Sequence, residues 1–361
     1  MTTIKIVFLY TRFADYFYWC LNFFLLNNPN YKAIVIRYSP DENAPFKFKE
    51  NNQLQLLDKS IFNNHHDLKK FLISLNPASI YIAGWSDRDY LKASKYFTRQ
   101  IPVILGLDNP WRGSIRQRIG ILIYKIFISK IFTNVWVAGN PQYLFARRLG
   151  FSDNKILRQL YCANTKIFES AYLNIKSSKI KQYPKKLIYV GRYVKYKNPL
   201  LLVRLFDDLV RDNKTNGWTL ELIGSGPLYK ELKSYQNEHI SIQNFINPTD
   251  LPKKLTESGA FCLPSDNEHW GLVVHEASAS GLPLILSDTT YSGTEFLIND
   301  YNGYAFKSCK TDSFKSTLIK LFSKTEKDLI KMGEKSYQLS KKISHKGWSA
   351  NLLRVLNSYE E

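Results

Sequence analysis

Short apolar runs alternate with helix-compatible runs along most of this 361-residue chain. Ile4–Tyr10, Ala33–Tyr38, Ser79–Ala83, Pro102–Leu107 and Val135–Ala138 are apolar enough to be buried on both faces, as strands of a parallel sheet are. Asp15–Asn27, Asp67–Leu75, Asp87–Thr98, Ser114–Phe132 and Pro141–Leu149 read as the crossover helices between and after them. The pattern weakens from Lys155 to Tyr183, and the polar, lysine-rich Lys176–Lys186 reads as an interdomain linker. The rhythm then restarts. Strand Lys186–Val190, helix Pro199–Asp212, strand Thr219–Ile223, helix Leu228–Gln236, strand Ile240–Phe245 and helix Asp250–Ser258 follow in turn, and Asp312–Glu361 reads as helical. The expectation is an α/β chain of two doubly wound Rossmann-like domains, residues 1–165 and 185–344, facing a cleft.

Length and composition fit this reading, since 361 residues with 44% hydrophobic and 22% charged content suffice for two separate cores. Fifty Lys and Arg against thirty-one Asp and Glu leave a net charge of +19. Such an excess points to an anionic partner (nucleic acid, acidic lipid or a phosphorylated substrate) or to a surface simply rich in lysine. No nucleic-acid-binding motif accompanies it. Four cysteines, Cys20, Cys162, Cys262 and Cys309, stand apart without a C-x-x-C pair, which suits a reducing, cytoplasmic setting. The first residues lack the long apolar region of a signal peptide and read as a buried strand. The longest apolar stretch, Ile119–Phe132, contains Lys125 and Lys130 and is too short to span a bilayer. Arg112–Phe132 has a basic amphipathic pattern. It suits either peripheral contact with anionic membrane or a core-facing helix with a solvated basic side.

Chemistry concentrates in Ser265–Ile285. An apolar strand, Ala260–Leu263, ends at Pro264, and a helix-compatible run, Leu272–Ser280, stops on Gly281 and Pro283. Leu282–Leu286 then forms the next strand. The loop between strand and helix lies at a carboxyl end of the sheet, where ligands of open α/β folds gather. Glu268 in this loop is placed to reach a reacting centre, and Glu276 in the helix to accept a ribose diol. The amides of Gly271 and Leu272 fall at the helix N-terminus, suited to phosphate, and Gly271 lets a ligand approach the backbone. In Val190–Pro199, between a strand and a helix, Arg192 offers a bidentate fork and Lys197 a point charge, with Lys195 the nearest competitor. Ile223-Gly224-Ser225-Gly226-Pro227-Leu228 is a glycine-rich strand-to-helix turn, either structural or close to phosphate.

The segment E-H-W-G-L-V-V-H-E-A-S-A-S-G-L-P-L-I resembles the E-x7-E signature of retaining, nucleotide-sugar-dependent glycosyltransferases of family 4. The resemblance implies the two-domain GT-B fold, with a final helix, about residues 345–361, that crosses back to the first domain. It makes Glu268 the sugar-side catalytic acid and Glu276 the ribose ligand. G-R-x4-K, holding Arg192 and Lys197, resembles the family's diphosphate-binding element. Gly224 falls in its G-x-G-P element, and Phe245 and Ile246 fall where the base docks. The family often has a His after the strand that ends at Leu107. This chain has Asp108 and Asn109, followed by Trp111 and Arg112. Asp108 is therefore a second catalytic candidate, for a sugar hydroxyl or the acceptor, with Asn109, Trp111 and Arg112 on the acceptor side.

The family's glycine-rich first loop is absent, since Tyr10–Tyr16 contains no Gly. The expected partners are a nucleotide-sugar donor and a glycan or lipid-linked acceptor, with no nucleic acid, no cofactor and no metal. Asp87-Arg88-Asp89 is a D-x-D, a pattern that binds metal in another glycosyltransferase fold, but the two-domain pattern favours helix-starting acids. Two other readings remain: a glycosidase built on two carboxylates, or a non-catalytic anion-binding module.

Overall fold

The computed structural model describes residues 3–39 and 48–358. Met1 and Thr2, before the first strand, and the expected end of the last helix, residues 359–361, lie outside the described residues. The chain divides into two compact units, Met1–Cys162 with Ile343–Glu361, and Ala163–Lys342.

The first unit holds a seven-stranded parallel sheet. Its strands are β1 (Ile4–Tyr10), β2 (Tyr31–Arg37), β3 (Leu54–Asp58), β4 (Ser79–Ala83), β5 (Val103–Leu107), β6 (Asn134–Val137) and β7 (Ile156–Leu157), in the order β3-β2-β1-β4-β5-β6-β7. Chain order runs outward in both directions from the β1/β4 boundary, which makes that boundary the topological switch point. The core is strongly aromatic. Trp348, on helix His345–Asn357, lies between Phe17 at 5.2 Å and Trp136 at 4.7 Å, and its indole N–H donates to the Leu160 carbonyl at 3.1 Å. This contact anchors the last helix to the first unit. Truncating such a fully buried side chain costs about 3–5 kcal/mol.

The second unit repeats the scheme with six parallel strands. They are β8 (Lys186–Val190), β9 (Thr219–Ile223), β10 (Ile240–Gln243), β11 (Ala260–Leu263), β12 (Leu284–Ser287) and β13 (Gly303–Phe306), ordered β10-β9-β8-β11-β12-β13. Its switch point lies between β8 and β11.

Three expectations need correction. The lysine-rich Lys176–Lys186 is not a linker: its first part ends the 17-residue helix Thr165–Lys181, and its last residue opens β8. Lys181 and Lys185 are exposed and Lys176 half-buried, while Phe168, Tyr172 and Lys179 are buried, so a polar composition here does not mark a linker. The chain passes from the first unit to the second at Cys162/Ala163, ahead of that helix. Ser114–Phe132 is not one regular helix either. An α-helical stretch, Ile115–Ile123, passes into a π turn, Tyr124–Ile128, closed by the Ser129 amide donating to the Tyr124 carbonyl at 2.8 Å. Finally, β10 stops at Gln243, so Phe245 and Ile246 lie in the loop beyond it.

Candidate functional site

The second unit's candidate residues converge at its switch point. β8 leads into Gly191–Asn198, and β11 leads into Pro264–Gly271. Backbone and side-chain contacts stitch the two loops together. The Asp266 amide donates to the Tyr196 carbonyl at 2.8 Å, and the Asn198 side chain donates to the Pro264 carbonyl at 3.1 Å. Asn198 takes a left-handed conformation, φ +52°, which Asn tolerates better than most residues.

At this seam Lys197 Nζ lies 2.6 Å from Glu268 Oε2, with side chains only 14% and 12% exposed. The Ser265 hydroxyl donates to the same carboxylate oxygen at 3.3 Å. A residue of the first loop and a residue 71 positions later thus form one charged centre. Arg192 is exposed. It donates to the Tyr196 hydroxyl, and its guanidinium lies 5.8 Å from the centroid of that ring. Lys195 is exposed and, among the described residues, joins no ion pair.

Gly271 has φ +87°, and a Cβ there would lie 3.0 Å from the Glu268 side chain, so glycine is what lets this turn close over the carboxylate. The Ser292 hydroxyl donates to the Gly271 carbonyl at 3.1 Å. Gly271 and Leu272 precede helix Val273–Ala279, which carries the half-buried Glu276. The neighbouring His275 is fully buried: it accepts the Ala163 amide at Nδ1 (3.2 Å), leaving Nε2–H to donate to the Ser340 carbonyl at 2.9 Å. This neutral imidazole fixes the helix that bears Glu276, a role with no sequence signal beyond a His on an apolar face.

Gly224 has a packing reason of its own. A Cβ there would sit 1.9 Å from the Gly191 carbonyl oxygen, and one at Gly226 (φ +148°) 2.6 Å from the Tyr193 carbonyl. The glycine-rich turn is pressed onto the loop that carries Arg192, and the Tyr193 amide donates to the Ser225 carbonyl at 2.7 Å. Phe245 is 54% exposed and Ile246 half-buried.

The first unit has a separate cavity of about 500 Å³ at its own switch point. Tyr10, Tyr16, Tyr81 and Tyr161 line it together with Asp108 and Asn109. The Tyr161 hydroxyl donates to Asp108 Oδ2 at 3.1 Å, and the Tyr10 and Tyr81 hydroxyls are 3.3 Å apart. Burial raises the pKa of all four phenols, so they act as neutral hydroxyls. Sequence reasoning found Asp108 and Asn109 but missed the tyrosines, which come from distant segments. Trp111 and Arg112 do not line this cavity. Trp111 packs against the core, 5.7 Å from Phe145, with the Arg148 guanidinium 4.7 Å above its ring. Arg112 is exposed, and its amide donates to the Gln117 side chain at 2.8 Å. Asp87, of the D-x-D, caps helix Arg88–Ser94 through the Asp89 and Tyr90 amides and pairs with Lys59 at 2.8 Å.

Comparison with known proteins bears on the second unit. Residues 173–339 match the family model of glycosyl transferases group 1. This group 1 segment includes every candidate residue of the Lys197–Glu268 site. Among curated relatives, spore coat protein SA of Bacillus subtilis (strain 168) is 26% identical over 197 residues, covering 48% of this chain and 48% of its own length. The UDP-Gal:alpha-D-GlcNAc-diphosphoundecaprenol alpha-1,3-galactosyltransferase of Escherichia coli is 30% identical over 139 residues, covering 37% and 35% respectively. The chain spans about half the length of these curated relatives, or less. The crystal structure of Anabaena HepE in complex with UDP aligns with a TM-score of 0.74 at 12% identity, over 98% of this chain and all of that one. At that identity the likeness is one of fold: two Rossmann-like domains of the GT-B type.

Proposed function

We propose that the chain is a retaining, metal-independent glycosyltransferase. In this reading it moves a sugar from a UDP- or GDP-linked donor to a glycan or lipid-linked acceptor in glycoconjugate synthesis. The observation that carries the reading is the Lys197–Glu268 pair, held at the switch point of the group 1 segment. Lys197 and Arg192 neutralise the leaving diphosphate, the work a divalent cation would otherwise do, and the Gly271 and Leu272 amides add hydrogen bonds to it. These contacts accelerate transfer to the extent that they strengthen as the diphosphate departs. Glu268 orients the donor sugar and stabilises positive charge developing at its anomeric carbon. Glu276 accepts the ribose diol, and Phe245 and Ile246 flank the base beyond β10, on the side of Gly224.

Acceptor attack from the face the diphosphate leaves retains configuration without a protein nucleophile. Asp108 and Asn109, in the tyrosine-lined cavity of the first unit, recognise acceptor hydroxyls, and Asp108 assists removal of the attacking proton. The named activities of the relatives, galactosyl transfer to a diphosphoundecaprenol-linked sugar among them, support this class of reaction.

The test separates two carboxylates. Glu276→Ala weakens nucleoside diphosphate binding, whereas Glu268→Ala lowers turnover far more than affinity. Full turnover by Glu268→Ala would overturn the catalytic assignment.

A further inference from the structure

The helix Ile115–Ile123 and its π turn Tyr124–Ile128 are apolar on two sides, and the fold uses one. Tyr124 is buried in the core of the first unit, and Ile121 and Ile128 pack against that core. A second set, Ile115, Ile119, Leu122, Ile123, Ile126 and Phe127, recurs at the spacing of a single helix face. These side chains are 76%, 55%, 60%, 47%, 57% and 73% exposed. Six large apolar side chains left in water on one short helix are not a by-product of folding, because the anchoring is already supplied from the other side.

The charge along this stretch of the sequence has one sign. No Asp or Glu occurs between Asp108 and Asp153, an interval holding Arg112, Arg116, Arg118, Lys125, Lys130, Arg147 and Arg148. Arg116, Arg118, Lys125 and Lys130 are exposed and, among the described residues, join no ion pair. Two copies of so basic a face repel one another, which disfavours self-association. The exposed set is aliphatic apart from Phe127 and gives nucleic-acid bases few rings to stack on. Aliphatic side chains beside unpaired cations match the boundary between acyl chains and anionic headgroups. No helix among the described residues is long and apolar enough to cross a membrane, so the contact is with the surface.

We propose that this face docks the protein on an anionic lipid bilayer, with the six apolar side chains at the acyl boundary and Arg116, Arg118, Lys125 and Lys130 at the headgroups. The proposal does not depend on the glycosyl-transfer reading, and its test reads lipid binding and not turnover.

The experiment is flotation of the full chain with vesicles of neutral phosphatidylcholine, and with vesicles holding about one third phosphatidylglycerol. Wild type floats with the anionic vesicles at least about tenfold better than with the neutral ones, and the difference shrinks as salt rises. The triple variant Leu122→Gln/Ile126→Gln/Phe127→Gln loses about tenfold or more of that binding with its melting temperature unchanged, because these side chains leave water only at the membrane. Arg116→Gln/Arg118→Gln/Lys125→Gln removes most of the preference for anionic lipid, at about fivefold per charge. Wild type that stays with the aqueous phase overturns the proposal, as does an apolar triple variant that floats like wild type. Light scattering that shows a dimer dissolved by the apolar substitutions assigns the face to a second copy. Oligonucleotide binding lost with the charge triple, without anionic-vesicle binding, assigns it to nucleic acid. Either result also overturns the proposal.

Discussion

Glu268→Gln and Lys197→Met, made singly and together, dissect the charged centre of the second unit. Unit charges 2.6 Å apart attract with a gross energy on the order of 6 kcal/mol at an effective dielectric near 20. Desolvation offsets much of this, since both side chains are largely buried. The net coupling falls between an exposed pair and a fully buried one, at about 2 kcal/mol. The single variants are unequal. Lys197→Met strands a carboxylate whose remaining hydrogen bond is a 3.3 Å contact from the Ser265 hydroxyl, and destabilises by about 2–3 kcal/mol. Glu268→Gln leaves an ammonium on a flexible stem that turns toward water, and costs about 1 kcal/mol. Urea unfolding of the four proteins reads this cycle.

Nucleotide titration reads its functional counterpart. Glu268→Gln releases Lys197 for phosphate, so diphosphate affinity holds or rises by up to about tenfold, while transfer falls by about 100-fold or more. Lys197→Met weakens diphosphate binding by roughly 10- to 100-fold, the worth of one charge-assisted hydrogen bond. A coupling below about 0.5 kcal/mol, together with wild-type diphosphate affinity in Lys197→Met, would refute the reasoning that this pair is poised for phosphate.

Three other outcomes are expected. Lys179 is buried with its ammonium 2.7 Å from the Ser258 carbonyl, and burial holds its pKa down to about 7. Below that pH both folded and unfolded states keep the proton and the folded state bears the full penalty. From there to about 10.4 only the unfolded state keeps it, so this residue makes stability rise with pH, by about 1.4 kcal/mol per unit. Lys179→Met is therefore more stable than wild type at pH 6, and its advantage shrinks by about 3 kcal/mol by pH 9 in denaturant titrations. Gly224→Ala places a methyl group 1.9 Å from a backbone oxygen of the Arg192 loop; it destabilises by about 1–3 kcal/mol, and calorimetry finds diphosphate binding weakened. Tyr161→Phe, which removes the hydroxyl bonded to Asp108, and Asp108→Asn each lower transfer rate while leaving nucleotide affinity unchanged, as kinetics and titration together would show.

Local chemistry was legible in the sequence, and convergence was not. β1, β4, β8, β9 and β11 stand at their expected residues because each is a nearly continuous apolar run in the middle of a sheet. The strands that escaped notice sit at edges. β3 is half-exposed along most of its length, β7 has two residues, and β13 begins with Gly303. That glycine is needed because a Cβ would lie 2.0 Å from the Leu284 carbonyl, and it disguises the strand. Glu268, Gly271, Arg192 and Lys197 were readable as loop residues after strands. That Lys197 would meet Glu268 depends on β8 lying beside β11, which sheet order decides. The tyrosine cavity was hidden for the same reason: Tyr10, Tyr16, Tyr81 and Tyr161 become neighbours only at the β1/β4 switch point. Trp111 and Arg112 stand next to Asp108 and Asn109 in sequence without lining their cavity, because adjacency in sequence is not adjacency in space.

The most direct test of the account is calorimetric titration of the chain with UDP, GDP and ADP at moderate salt with EDTA present. The account predicts saturable binding of one diphosphate over the others, lost or much weakened in Lys197→Met. Equal weak binding of all three that fades with salt, or binding that appears only when manganese is added, would contradict it.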